Sequence, residues 1–459
     1  MSDMDTAGIN KERILELLKD KEYQKLRKAL TEYEAVDIAL LMEELSPHEL
    51  VPVFRLLPKE LAAGVFVELG SDGKQLIIES FTDREVSEIL GELFIDDTVD
   101  LIEEMPANIV KRILANTSPD ERGTINELLG YADGSAGSLM TTEYVSLKQD
   151  MTTEQAIEHI REVAPDKETI YTCYVTFQRL LVGVVSIKDI LTAGRNTLIK
   201  DIMETRVIAV QTSDKSEKIG GLFDRYDYLA LPVVDTEGRI VGIITVDDAI
   251  DAMRKDAEED FAKMAAITPD DKPYLSSSVL KICLRRLPWL LLLMVSATFT
   301  GMIISYFEAA LAAQVALTGF IPMLMDTGGN SGSQASVTII RGLSLGEIKF
   351  RDIFKVIWKE IRISVICGGI LAAATFGKIM LVDRAIMGTE ITAAIAAVVS
   401  ATLFATVVIA KLIGCTLPMI VDRLGLDPAV TASPFITTLV DAISLLVYFG
   451  FAGSILGNV

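Results

Sequence analysis

Two runs, Leu287–Phe307 and Ile391–Ala410, hold 21 and 20 residues without one charged side chain. At ~1.5 Å of helix rise per residue, each is long enough to cross the ~30 Å hydrocarbon core of a bilayer. The carboxyl-terminal part of the chain is therefore expected to be a helical membrane domain. Three further candidate spans join these two: a broken one from about 309 to 340, one over 363–382 that holds Lys378 near one end, and a last one from about 428 to 459 that holds Asp441. Five spans result. Arg341, Lys349, Arg351, Lys355, Lys359 and Arg362 follow the second span, whereas the first connection has no basic residue and the third has only Arg384. The positive-inside rule then puts that connection and the amino-terminal half on the cytoplasmic side of the plasma membrane, and the carboxyl terminus outside.

The first 275 residues are different in kind. Of the 43 basic and 64 acidic residues, Ser276 onward carries 13 and 10, which leaves 30 and 54 before it. A surface this negative repels nucleic acid and anionic lipid headgroups and attracts cations, although solubility alone also accounts for a charge excess. Four scattered cysteines imply no disulfide framework, and His48 and His159 alone give no zinc spacing and little imidazole for catalysis. The first residues, MSDMDTAGINKERILELL, contain no apolar signal-peptide core, so the acidic half is expected to stay in the cytosol.

Residues 8–133 read as short amphipathic helices that break at Pro, Gly or Asp, with Leu45, Leu57 and Leu61 near those breaks. An irregular helical superhelix fits this pattern better than one bundle. A clear duplication follows: VGVVSIKDIL at 182–191 is echoed by VGIITVDDAI at 241–250, each after a strand-like run. Across 137–250 the pattern resembles a tandem CBS domain, an α/β module that commonly binds adenine nucleotides. That resemblance makes Ser186 with Asp189, and Thr245 with Asp248, the candidate phosphate and ribose contacts, joined by Asp227. A dimerisation scaffold is the alternative reading of the same pair. Then 247–267 reads as a long helix with Ile250, Met253, Ala257, Phe261 and Met264 on one stripe and Asp256, Glu259 and Asp260 crowded together, the start of a connecting helix over 251–279. Like charges on one helix cost stability unless a cation neutralises them, and a solvated face is the plainer reading.

Two polar features lie at membrane depth. In PMLMDTGGNSGSQ, 322–334, Pro322 is expected to end or kink a helix, while Gly328, Gly329 and Gly332 free carbonyls and Asn330 and Gln334 share a face. Open backbone at this depth must be buried in protein or line a water-filled path. Asp441 is the second feature, with Ser433, Thr437 and Ser444 on its stripe. An intramembrane carboxylate marks an ion route by default, and no basic partner is expected deep in another span. Amide, carbonyl and carboxylate oxygens without thiolate or imidazole suit hard cations, and Mg²⁺ would keep much of its water. A two-fold dimer with the pore on its axis would bring two copies of Asp441 around one ion.

Over nearly its whole length the chain resembles the MgtE family of magnesium channels. The resemblance is carried by IPMLMDTGGNSGSQAS, LDPAVTASPFITTLVDAISLL, YADGSAGSLMT and the acidic helix after the second CBS copy. It implies a homodimeric Mg²⁺ channel, not an enzyme, whose helical (8–133), CBS (137–250) and connecting (251–279) regions sense cytosolic Mg²⁺ and close the pore domain (280–459). It further implies Asp441 as the filter carboxylate, Asn330 near the pore and Asp427 at its cytoplasmic mouth. Asp96, Asp100, Asp248, Asp256, Glu259 and Asp260 become regulatory Mg²⁺ sites, with ATP as a modulator at the CBS pair. Transport of Co²⁺ or Mn²⁺ and a CBS-regulated membrane hydrolase are the competing functions. A nucleotide-responsive scaffold without flux leaves Asp441 unexplained.

Overall fold

The computed structural model describes residues 11–269, 274, 277–431 and 433–456. The first ten residues, parts of the expected connecting segment 251–279 and the end of the expected last span lie outside them, as does the Ser433 side chain. The chain divides into two compact units, Met1–Met253 and Arg254–Val459.

Ten short helices open the first unit: α1 (Lys11–Lys19), α2 (Tyr23–Leu30), α3 (Ala35–Glu43), α4 (Pro47–Phe54), α5 (Lys59–Glu68), α6 (Ser71–Ser80), α7 (Asp83–Leu90), α8 (Ile95–Glu104), α9 (Ala107–Asn116) and α10 (Pro119–Leu128). From α2 onward their N-caps, Glu22, Glu34, Ser46, Pro58, Gly70, Thr82, Phe94, Pro106 and Ser118, recur every 12 residues. Every third cap from Ser46 is a Ser or Thr with Glu three residues on, a capping box that satisfies orphan N–H groups of the first turn. The residue before the cap points inward, and Leu45, Leu57, Leu69, Phe81 and Met105 are all buried there. Helix α3 packs on α5, α5 on α7 and α7 on α9, while α4 packs on α6 and α8 on α10. Alternate helices thus stack in rows, the physical form of the helical superhelix expected from sequence.

Two three-stranded sheets follow. β1 (Tyr144–Lys148) is parallel to β2 (Thr169–Phe177), which pairs antiparallel with β3 (Leu180–Ser186). The second sheet repeats this with β4 (Val210–Gln211), β5 (Ala230–Val234) and β6 (Ile240–Thr245). The accompanying helices are α11 (Thr153–Val163), α12 (Ile187–Thr192), α13 (Ile199–Ile202) and α14 (Ser216–Tyr226). Tyr144, Tyr174, Ala230, Ile240 and Ile243 form an apolar seam shared by both copies. Helix α15 (Val246–Met264) leaves the second copy as one uninterrupted element. Its apolar stripe is open: Ile250, Met253 and Phe261 are all exposed.

The second unit is helical: α16 (Val279–Tyr306), α17 (Glu308–Ala313), α18 (Ile321–Ser344), α19 (Ile353–Lys378), α20 (Ala393–Arg423) and α21 (Ser433–Leu456). Helix α20 is central, packing against α18, α19 and α21. Among the described residues four helices are long and apolar enough to cross a membrane: Val279–Tyr306, Phe350–Ile386, Ala393–Arg423 and Pro434–Ile455. The expected broken span, 309–340, consists of α17, a 3₁₀ segment Val315–Phe320 and α18, whose polar residues keep it outside that set.

The expected break inside PMLMDTGGNSGSQ is not there. Pro322 sits in the first turn of α18, where a missing N–H costs nothing, and the helix runs unbroken through all the glycines. The interruption falls earlier, at Gln314–Phe320. Closeness explains the glycines: a Cβ at Gly329 would lie 2.6 Å from Thr437 Cγ2, and one at Gly328 would lie 2.6 Å from Thr406 Cγ2. On α20, a Cβ at Gly414 would overlap the Gly332 carbonyl. These are small-residue contacts that let membrane helices approach backbone to backbone. Helices α19 and α20 also start earlier or end later than the uncharged runs imply. Lys355, Lys359 and Arg362 therefore lie on α19 itself, and Lys411 is buried within α20.

Candidate functional site

Helix α18 buries one face against α20 and α21 and exposes the other. Gly328, Gly329, Ser331, Gly332 and Ala335 are buried, whereas Pro322, Asp326, Asn330, Gln334 and Thr338 are exposed. The last five are spaced four apart, so they form one slowly winding stripe. Four of the five are polar, in a unit whose neighbouring helices are apolar enough for hydrocarbon. Gly328 and Gly329, expected to offer carbonyls to an ion, are committed to helix packing on the opposite face. Thr437 is committed likewise, against Gly329 and within 3.3 Å of the Ser333 hydroxyl.

Asp441 lies on α21 beside this helix. Its Oδ1 atom is buried with no hydrogen-bond partner among the described residues. Asp326 is within electrostatic reach of it. Asp326 is a residue that sequence reasoning passed over, although it stands inside the motif itself; Asp441 is not the sole carboxylate here. Nor is the membrane unit free of buried cations, as Lys411 shows.

A second group of acids belongs to the first unit. Helix α8 carries Asp96, Asp97 and Asp100 on a face shared with Glu143, Glu168 and Asp248. Burial pushes Asp96 up to about 9, with repulsion from Asp97, Asp248, Glu168 and Glu143 adding to it. Burial and Asp248 raise Asp97 to about 6, and the same two causes raise Glu168 to about 7. Asp100, open to solvent on one side, reaches about 6 through desolvation and then Glu103 and Asp248. Burial also holds Asp248 above the ordinary carboxylate range, against the pull of its contact with Thr245. Asp96 Oδ1 has no partner among the described residues. Glu143, by contrast, is engaged, accepting from the Thr141 hydroxyl at 2.7 Å and the Ile95 N–H at 3.3 Å. Asp97, Glu143 and Glu168 were not singled out from sequence, because only folding brings Glu143 and Glu168 to α8.

The expected connecting-helix acids meet the expected mouth residue within the second unit. Lys263 of α15 reaches both Glu259 and Asp427 at 2.6 Å. Asp260 accepts from the Ser344 hydroxyl at 3.3 Å, and burial with repulsion from Asp427 raises it. Burial alone would lower Lys263, but the hydrogen bonds it donates to Asp427 and Glu259 outweigh that and the net shift is upward. Asp256 lies on the same helix and adds to the repulsion at Asp260. Among the described residues no three His, Cys, Asp or Glu side chains converge as a ready-made metal cage. A cation that keeps its water shell does not need one.

The nucleotide candidates occupy equivalent places in the two sheets. Ser186 donates to Asp189 at 2.6 Å and caps α12, and Thr245 contacts Asp248 in the same way at the start of α15. Asp227 ends α14 in a left-handed conformation, φ 52°. Asp248 thus belongs at once to a CBS cap and to the acidic face with α8.

Known proteins match in the same order. The MgtE intracellular N domain matches residues 33–134, CBS domains match 136–196 and 199–255, and the divalent cation transporter domain of MgtE matches 321–451. The magnesium transporter MgtE of Thermus thermophilus is 34% identical over 442 residues, 95% of this chain and 96% of that one. The magnesium transporter MgtE of Bacillus subtilis is 33% identical over 446 residues, 96% of each. Among solved structures, the cytosolic domain of the Mg²⁺ channel MgtE in complex with ATP aligns with a TM-score of 0.50 at 35% identity, over 52% of this chain and 99% of that one.

Proposed function

The chain belongs to the MgtE family of magnesium transporters, and from that premise we propose that it is a passive Mg²⁺ channel closed by cytosolic Mg²⁺. One observation carries the reading: the exposed Asp326–Asn330–Gln334–Thr338 stripe of α18 beside Asp441 Oδ1, which is unpartnered among the described residues. Such a stripe is costly against lipid and is satisfied by water and a hydrated cation. A second copy facing it across a two-fold axis would pair the stripes and double the carboxylates. The exposed apolar stripe of α15 supports the same pairing, since a lone chain leaves it in water.

The acidic faces supply the sensor. Asp96, Asp100 and Asp248, with Asp97 and Glu168, repel one another, and a Mg²⁺ ion among them would relieve that repulsion and displace the proton that burial holds on Asp96. Asp256, Glu259, Asp260 and Asp427 gather likewise where α15 meets the pore unit. Mg²⁺ bound at these faces favours the packed, closed arrangement. In this reading residues 8–133 and 137–250 sense, 251–279 transmits and 280–459 conducts across five spans, with the amino terminus cytoplasmic and the carboxyl terminus outside. The CBS caps at Ser186, Asp189, Asp227, Thr245 and Asp248 are the proposed ATP site.

Proteoliposome flux with Mg²⁺ varied on each face tests the proposal. Inward Mg²⁺ flux that falls as internal Mg²⁺ rises is the expected outcome, and flux indifferent to internal Mg²⁺ removes the sensor. Competition by Co²⁺ or Mn²⁺ at equal concentration would move the assignment to another divalent cargo.

A further inference from the structure

The α18 stripe winds as it runs, and its Gln334 and Thr338 end opens, between α18, α19 and α20, onto a cavity of about 440 Å³ whose other polar lining is Lys355, Lys359, Glu360 and Lys411. Two of these charges are more than nine-tenths buried, Glu360 at 8% exposure and Lys411 at 7%. Glu360 Oε2 has no hydrogen-bond partner among the described residues, so the Lys411 ammonium does not reach it. Two buried charges beside one cavity, not in contact, are expensive without an occupant that satisfies both. Lys355 is already held by Asp352 at 2.8 Å, which leaves Lys359 and Lys411 as the available cations.

The level of the cavity identifies the occupant. Lys411 directly follows the uncharged stretch of α20, and Glu360 lies just before the uncharged stretch of α19 that begins at Ile363. Trp358, exposed and 6.0 Å from the Arg362 guanidinium, stands one turn away, an arrangement typical of the headgroup boundary. Basic pockets between membrane helices at that depth bind lipid headgroups. We infer that the cavity holds a phospholipid headgroup, its phosphate on Lys411 and Lys359 and an N–H or O–H donor of the same headgroup on Glu360. Ethanolamine and glycerol headgroups supply that donor. Choline has none.

The test uses the full-length protein, stripped of lipid in detergent and then offered phosphatidylethanolamine, phosphatidylglycerol or phosphatidylcholine, with retained lipid counted by native mass spectrometry. The wild type is expected to retain about tenfold more of the first two than of the third, the worth of one hydrogen bond to a charged group. Glu360→Gln erases that preference, Lys411→Gln loses retention, and Lys411→Arg keeps it. Lys359→Gln, at an exposed position that cannot unfold the core, weakens retention in parallel. Equal retention of phosphatidylcholine by the wild type, or undiminished retention in both lysine variants, overturns the inference. So does inorganic phosphate that, in lipid-free micelles, raises the melting temperature as much as phosphatidylethanolamine does; the site would then be for soluble phosphate.

Discussion

The Lys263 ammonium lies 2.6 Å from Asp427 Oδ2 and 2.6 Å from Glu259 Oε1, so a lysine stands between two carboxylates at the point proposed for a regulatory cation. It ties α15 to the segment that precedes α21. A tethered charge of this kind favours the contact whether or not Mg²⁺ is present.

Lys263→Gln should therefore raise flux at zero internal Mg²⁺ and make closure depend more steeply on the ion. The pairs are only partly buried, so ~1 kcal/mol is the expected scale, about fivefold in the open-to-closed ratio. Flux at zero Mg²⁺ measured in Lys263→Gln proteoliposomes checks this, and an unchanged value contradicts it.

The acids around α8 predict a pH dependence with a definite sign. Asp96, at about 9, and Glu168, at about 7, bind protons more tightly folded than unfolded. Their contribution is complete below the unfolded values near 4 and is lost as pH rises toward 9. Thermal unfolding of the full chain without Mg²⁺ should show a melting temperature that falls between pH 5 and pH 9. Saturating Mg²⁺, which replaces those protons, should flatten the slope; parallel slopes with and without the ion would refute binding there.

Asp326→Asn should reduce Mg²⁺ flux while leaving the fold intact, since the side chain is exposed on α18. The expected loss is smaller than that of an Asp441 variant, whose carboxylate is the more enclosed of the two. Initial rates compared across both variants decide the order.

Gly414→Ala tests the packing account of the membrane unit. Its new methyl would meet the Gly332 backbone carbonyl, which cannot rotate away, and overpacking of this kind costs ~1–3 kcal/mol. A lowered melting temperature is expected. A neutral result would mean that α18 and α20 do not approach as closely as described.

Much of this was legible in the residues. The uncharged runs announced α16 and α20, and the VGVVSIKDIL and VGIITVDDAI echo announced two equivalent sheets. The superhelix was visible only dimly, because its 12-residue rule lies in caps as unlike as Glu22, Pro58 and Gly70. The misreading of PMLMDTGGNSGSQ has a physical cause. Local propensity makes Gly328, Gly329 and Gly332 helix breakers, whereas the tertiary contacts of Thr406, Ile436 and Thr437 need the space they leave. The same attention to glycine hid Asp326. Lys263 and Lys411 were invisible for a different reason: a lysine matters here through what the fold sets beside it, Asp427 in one case and a cavity in the other.

Initial Mg²⁺ flux through Asp441→Asn in liposomes, with folding and assembly monitored by size-exclusion chromatography, tests the central claim most directly. The account predicts that flux nearly vanishes while the protein elutes as the wild type does. Wild-type flux in that variant would contradict it.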